Sequence, residues 1–506
     1  MKITTNLTIL IFLLFNSCST EEKAKVSPTI SFNNELQELK DYFQIPGIAV
    51  LIKKENQVIY EDYLGNSDVK NHIPIDSTIT IPMASLTKIF SGITIMQLEA
   101  EGKLSLDDPI NKYASSFNIP DSIKIKHILS HTSQGEVGKH FYYSNRFGLL
   151  TSVIEKANNQ SFEKTIQNRI INKLGLKNTY LLKDSTQLIN ENRRIAQPYT
   201  LGGEIKDGVM EKQTKYGFID YGFSSSAGIV STVRDLAILD NALNDNTLIT
   251  EALKLKMFTP FNAQSSYGLG IFSQEFMGKK LIWGYGQYDC YSSLFLKVPS
   301  KNLTFIIAAN NNLMSDPARL INGDVTTSLF AMSFLKNFVF SFTDEALFEN
   351  ESSLNTLKTK ITDDNTEFFH KKLIAQSLAS AYMSRFDSAE SEKSKMILKQ
   401  VFKIFPGSKS KADLNLLFNL QLLNFMDTIR GNPSTSDFDV QYKKIGKALL
   451  TIDSDNPYAN YYMGNYYLGK GITDNTAFFY DKIVSAKNFS PWWYTEEAKN
   501  WLEANK

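Results

Sequence analysis

Apolar positions recur along this chain in two rhythms. The run GIAVLIK (47–53) is followed by VIYEDYL (58–64), with the polar Lys54-Glu55-Asn56-Gln57 between them; this predicts two strands and a turn. A second strand-rich region begins at Tyr267, where YGLGIF (267–272), KKLIWGYG, YSSLFLKV and LTFIIAAN follow one another. They are separated by Gly278, the 286–290 stretch and Pro299-Ser300-Lys301-Asn302. Between these regions the spacing turns helical. Leu86, Ile89, Phe90, Ile93, Met96 and Leu98 mark a helix opening near Ser85, and Gly102 supplies a C-terminal stop. That helix is apolar on most of its circumference, which predicts burial. Strands at both ends with helices between them predict one domain over 35–340, its antiparallel sheet closed by distant segments.

Past about residue 345 the strand signals vanish. Segments 368–386, 392–404, 411–427, 438–452 and 457–470 read as helices, predicting an all-α accessory domain over 345–506. Gly464, Tyr467 and Tyr480 fall roughly where a tetratricopeptide-type helical hairpin carries its packing residues, without a sustained period. Such a domain is a candidate surface for a protein partner.

The N-terminus follows another pattern. Lys2, the apolar Leu7 to Phe15 and the small-residue exit Asn16-Ser17-Cys18 form an export signal over residues 1–18. It is similar to the bacterial lipoprotein signal, in which the cysteine is acylated and becomes the new N-terminus. The expectation is a protein of the cell envelope, on its periplasmic face or outer surface. Cys18 would be the lipid-attachment site, membrane contact would run through that anchor, and 19–34 would be a polar tether. Cys290 is the one other cysteine, so an acylated Cys18 leaves no intrachain disulfide. The formal net charge of +1 gives no argument for a nucleic-acid partner.

Ser85-Leu86-Thr87-Lys88 is the candidate chemistry. A serine hydroxyl needs a group to take its proton and another to stabilise the resulting charge. Ser85 opens the buried helix, where free backbone N–H groups favour negative charge. Lys88 lies one turn on, over the same face. Ser67/Lys70, Ser161/Lys164, Ser333/Lys336 and Ser408/Lys411 share the spacing but lack a strand-to-helix turn in front of them. Tyr143-Ser144-Asn145 adds a phenol able to relay protons and an amide able to meet a substrate carbonyl or Lys88; Tyr458/Asn460 repeats that pattern. The alternative for Ser85 is a plain helix cap, and for Tyr143 a loop tyrosine packing on Phe141 and Tyr142.

The ordered segments 83–110, 124–135, 141–150, 225–243, 267–272 and 283–310 resemble the serine β-lactamase, DD-peptidase and esterase superfamily, closest to its class C-like branch. The resemblance implies a mixed α/β fold with a five-stranded antiparallel sheet flanked by helices, plus an all-helical lobe. It implies Ser85 as acylated nucleophile, Lys88 and Tyr143 as general-base pair, and Asn145 as a substrate or lysine contact. The backbone N–H groups of Ser85 and Gln287 would form the oxyanion hole. At the third family motif, Lys or His is replaced: the chain has Gly284-Tyr285-Gly286, so the substrate-binding cation is absent there. The expectation is a serine hydrolase for a small ester, peptide or cell-wall-derived substrate, in preference to a β-lactam. The alternative is a binding protein that keeps the fold without turnover. No cofactor is implied. His127, His131 and His140 have no evident carboxylate partner and predict no metal site. Asp107-Asp108 beside Pro109 reads as turn and cap, and Gly222 to Gly228 as a serine-rich loop bordering the site.

Overall fold

The computed structural model describes residues 27–117, 119–206, 209–343, 347–407, 413–431 and 436–505. The export signal with Cys18, and the tether up to residue 26, lie outside the described residues. The rest of the expected tether is not one. Pro28–Tyr42 forms a helix, α1, with proline at its first turn, where the missing N–H costs nothing. Phe32, Leu36 and Leu39 make a buried stripe at helical spacing. The Phe32 ring packs edge-on against Tyr60 at 5.2 Å and Phe305 at 5.9 Å, tying the segment to the sheet.

The strands, in chain order, are β1 (Gly47–Lys54), β2 (Gln57–Asp68), β3 (Ile73–Pro74), β4 (Ile81–Pro82), β5 (Tyr180–Leu181), β6 (Tyr199–Lys206), β7 (Val209–Tyr216), β8 (Ile229–Ser231), β9 (Phe272–Phe276), β10 (Lys279–Gln287), β11 (Ser292–Val298) and β12 (Leu303–Ala309). The main sheet runs β3-β2-β1-β12-β11-β10-β9. It is antiparallel, and the pairing of β1 with β12, from Ile48↔Ala309 to Lys54↔Leu303, closes it as the sequence predicts. It has seven strands where five are expected, because the short β3 and β9 extend its two edges. The run 267–272 is not a strand. A Cβ on Gly268 would lie 2.2 Å from the Met257 carbonyl oxygen, and Gly270 sits at φ +88 against Gly92, so this stretch is a close-packed turn. The strand begins at its last residue, Phe272.

Both faces of the sheet are covered. Ile48, Val50 and Ile52 of β1 join Phe305 and Ile307 of β12 in one apolar core, while Ala49 and Leu51 join Ile306 and Ala308 in another. That alternation follows from the two-residue period of a strand. The first core includes α1 and continues into the C-terminal helices as far as Ala498. The second encloses the Ser85 helix, α2 (Thr87–Ala100), buried from Thr87 to Leu98 and followed by Gly102 at φ +67.

Beyond Ala309 the described residues contain helices and no strand. Thr366–Met383, Ser388–Ile404, Leu414–Ile429, Ser436–Ile452 and Pro457–Gly469 match the predicted segments within a few residues. Glu351–Lys360, Thr473–Val484 and Trp493–Ala504 complete the region. In the hairpin formed by Pro457–Gly469 and Thr473–Val484, the missing Cβ of Gly464 admits the Tyr480 ring, and Tyr467 stacks on Phe479 at 5.7 Å. Among the described residues, no helix is long and apolar enough to cross a membrane.

Candidate active site

The turn before α2 is strained. Ala84 sits at φ +45, a left-handed conformation that costs a non-glycine residue about 1–2 kcal/mol. The surroundings hold it there. The Met83 N–H donates to the Ile229 carbonyl at 2.8 Å, and the Met83 carbonyl accepts from Ser293 Oγ at 3.0 Å. Ala84–Leu86 then makes one tight 3₁₀ turn before α2 begins. Half-buried Ser85 therefore lies on a braced bend at the head of a buried helix, and lines a cavity of about 290 Å³.

Lys88 reaches back over this turn. Its Nζ donates to Ser85 Oγ at 2.9 Å and to the Ser226 carbonyl at 3.0 Å, placing the 222–228 loop at the site. The side chain is buried, and Nζ lies 5.0 Å from the centre of the Tyr143 ring and 5.3 Å from that of Phe147. Tyr143 lines the same cavity as Ser85. Its ring stacks on His131 at 4.4 Å, and His131 Nδ1 accepts from the Ser144 N–H at 3.1 Å. Burial, with the Lys88 charge adding to it, holds His131 well below the usual histidine range. The imidazole is therefore neutral with its proton on Nε2, an atom that is buried without a partner. The neighbouring Tyr285 phenol is pushed well above its ordinary value, chiefly by burial, and so keeps its proton.

The third-motif strand runs alongside. Trp283 is the last β10 residue paired with β9, whereas the pairing with β11 continues to Gln287, so 284–287 has a strand on one side only. Tyr285 and Gln287 line the Ser85 cavity. Gly284 points the other way: a Cβ there would meet Ile89 at 3.1 Å and Leu86 at 3.2 Å, so apolar side chains occupy the space beyond it. Gly286 backs onto the nucleophile turn, where a Cβ would lie 1.9 Å from the Met83 carbonyl oxygen and 2.5 Å from Ser293 Oγ. Gly286→Ala is expected to displace the Met83–Ser85 bend, costing about 1–3 kcal/mol of stability and most of the reactivity at Ser85. Thermal unfolding and active-site labelling beside Gly469→Ala, where a Cβ meets nothing within 4 Å, check this; equal behaviour of the two variants would contradict it.

Asn145 lies elsewhere. It is exposed, and its Nδ2 donates to the Pro491 carbonyl at 3.4 Å. Among the described residues, no group of acidic, histidine and cysteine side chains is arranged to hold a metal. His127 instead accepts from the Lys124 N–H at 3.1 Å, and burial lowers its pKa to about 4. Asp108 takes the Ser105 N–H at 2.9 Å, and Asp107 pairs with Lys126 at 2.6 Å.

Six cavity residues were not among the sequence candidates: Asp316, Arg319, Leu320, Ile321, Trp492 and Trp493. Arg319, itself at φ +50, supplies a cation to a cavity that has none at Gly284, and its Nε is buried without a partner. Asp316 lies 3.6 Å from the Arg319 guanidinium, accepts from Gln287 Nε2 at 3.1 Å, and accepts from the Tyr382 hydroxyl at 2.6 Å. A lone Arg in a loop and a Trp-Trp pair nearly 410 residues after the nucleophile carry no spacing that marks them.

A helix-flanked antiparallel sheet presenting a Ser-x-x-Lys turn beside a loop tyrosine defines the class to which this protein belongs. Residues 32–324 match the beta-lactamase family model, and the chain belongs to that family. It is 24% identical over 311 residues to protein flp of Staphylococcus aureus strain MRSA252, covering 53% of this chain and 60% of that protein. It is 24% identical over 281 residues to PbpX of Bacillus subtilis, covering 50% and 68%. The chain thus spans about three fifths of flp's length. The octameric penicillin-binding protein homologue from Pyrococcus abyssi shares the fold, with a TM-score of 0.52 at 21% identity over 68% of this chain and 81% of that one.

Proposed function

We propose that this protein is a serine hydrolase that cleaves a small ester or peptide through an acyl-Ser85 intermediate. The observation that carries this reading is the 2.9 Å contact between Lys88 Nζ and Ser85 Oγ at a cavity that Tyr143 also lines. In the first step Ser85 Oγ attacks the substrate carbonyl carbon, and its proton passes to Lys88 Nζ acting as base, with the Tyr143 phenol as relay to the leaving group. The carbonyl oxygen becomes an oxyanion received by the backbone N–H groups of Ser85 and Gln287. The leaving group departs with the proton. Water then attacks the ester carbonyl by the same route in reverse, and Ser85 recovers its proton as the acid is released.

A binding protein without turnover is the second reading, favoured by the missing cation at Gly284. A fluorescent fluorophosphonate separates the two. Labelling of the native protein that disappears in Ser85→Ala is the expected result. Folded native protein that takes no label would overturn the hydrolase reading in favour of binding.

A further inference from the structure

Part of the wall of the Ser85 cavity comes from the far end of the chain. Segment 488–493, which leads into the first residue of the last helix, crosses to the loops on either side of Tyr143. The Arg146 guanidinium donates to Ser490 Oγ at 2.7 Å, to Asn488 Oδ1 and to the Asn488 carbonyl at 3.2 Å, and to the Ser133 carbonyl at 2.7 Å. Asn488 Nδ2 donates to the carbonyls of Ser133 and Gly135, and the Ser490 N–H donates to Gln134 Oε1 at 2.8 Å. Phe489 packs on Tyr142 at 5.2 Å. These contacts fix a strap that ends in Trp492 and Trp493, both lining the cavity with Ser85, Tyr143 and Tyr285.

The tryptophans are held by their own packing. Trp493 stands edge-on to Tyr461 at 5.0 Å, and Trp492 lies 6.1 Å from the Tyr494 ring. Trp493 is nevertheless 37% exposed. Over a third of that indole is thus open beside the nucleophile, an aromatic face available to a ligand. The cavity of about 290 Å³ is just below the roughly 300–1,000 Å³ usual for ligand sites.

We propose that the 488–493 strap is the size filter of this active site. Trp492 and Trp493 close the cavity around a short acyl group and exclude long ones. The C-terminal helical region thereby sets the substrate class, beyond any role in partner binding. This inference rests on the reading of Ser85 as nucleophile.

The test uses the full chain and alkyl fluorophosphonates of increasing chain length, comparing labelling rates for the native protein, Trp493→Ala and Trp492→Ala. The half-exposed Trp493 is the variant with least core to lose, and circular dichroism confirms that each variant is folded. Trp501→Phe, on the same helix but packed on Tyr480, is the control. The native protein should prefer the short reagent, and removing either cavity indole should raise the long-to-short rate ratio on the order of tenfold. The control should leave that ratio where it was. No short-chain preference in the native protein, or an unchanged ratio in a folded Trp493→Ala, would overturn the filter while leaving the nucleophile standing. Native protein that takes no reagent of any length would overturn the hydrolase reading, and the filter with it.

Discussion

Lys88→Met is expected to slow fluorophosphonate labelling at Ser85 by about 10²–10⁴-fold, the usual contribution of a positioned proton acceptor. The expectation follows from the contact geometry. Lys88 Nζ is within 3.0 Å of both Ser85 Oγ and the Ser226 carbonyl, so the bend and the serine loop together fix where the amine sits. Methionine keeps most of the buried stem while removing the amine, so lost packing contributes little to the change. Lys88→Arg discriminates further. A guanidinium keeps the positive charge and the donors but does not give up its proton in a protein, so it cannot act as a base. Arginine should therefore be as poor as methionine. Near-native labelling in Lys88→Arg would show that charge, not proton transfer, is what position 88 supplies.

Ser85 and Lys88 were legible because their information is local. A polar pair one helical turn apart, at the head of an apolar helix, is visible in four residues. The sheet was legible for a similar reason. Its strands carry dense apolar runs at both ends of the domain, and the helical stretch between them implies a sheet closed by distant segments. Segment 267–272 was misleading because its aromatic and aliphatic residues have strand composition, while its function is to let Gly268 and Gly270 press against Met257 and Gly92. The N-terminal helix was hidden by the opposite effect. Its polar residues outnumber Phe32, Leu36 and Leu39, which acquire meaning only once the sheet they cover is known.

Asn145 shows the limit of motif transfer. Its place in Tyr-Ser-Asn is right for a lysine contact, but the 488–493 strap offers it the Pro491 carbonyl. The accessory region was foreseen as a separate helical domain with a partner surface. Its chain does fold into helices, yet its apolar core is continuous with the sheet's first core and its last loop enters the Ser85 cavity. Nothing in a single sequence reports the docking of the strap, because its contacts join residues more than 300 positions apart. Point substitutions in the strap are accordingly a cleaner probe than truncation near residue 345, which would uncover that shared core.

Asp240→Ala should have the largest effect on stability. Asp240 is fully buried on the helix Val233–Asn244 and bridges two lysines of the main sheet. Its Oδ2 pairs with Lys53 Nζ at 2.8 Å and its Oδ1 with Lys297 Nζ at 2.9 Å, while Thr304 Oγ1 donates to Oδ2 at 2.9 Å. Burial by itself would raise this carboxyl's pKa, but the two ammonium groups outweigh it and hold the value below the ordinary range. The charge is thus present in the folded protein at neutral pH. Removing it leaves Lys53 and Lys297 buried without their counter-ion, a change that typically costs about 3–5 kcal/mol. The lysines are the source of that cost, so Asp240→Ala combined with Lys53→Met and Lys297→Met should recover much of it. Urea unfolding of the single and triple variants measures both. Because the same helix follows β8 and the serine loop that holds Lys88, the single variant should lose labelling along its unfolding curve rather than in the native baseline. A triple variant no more stable than the single one would mean that Asp240 holds this helix through packing and hydrogen bonds, and that the two lysines are incidental.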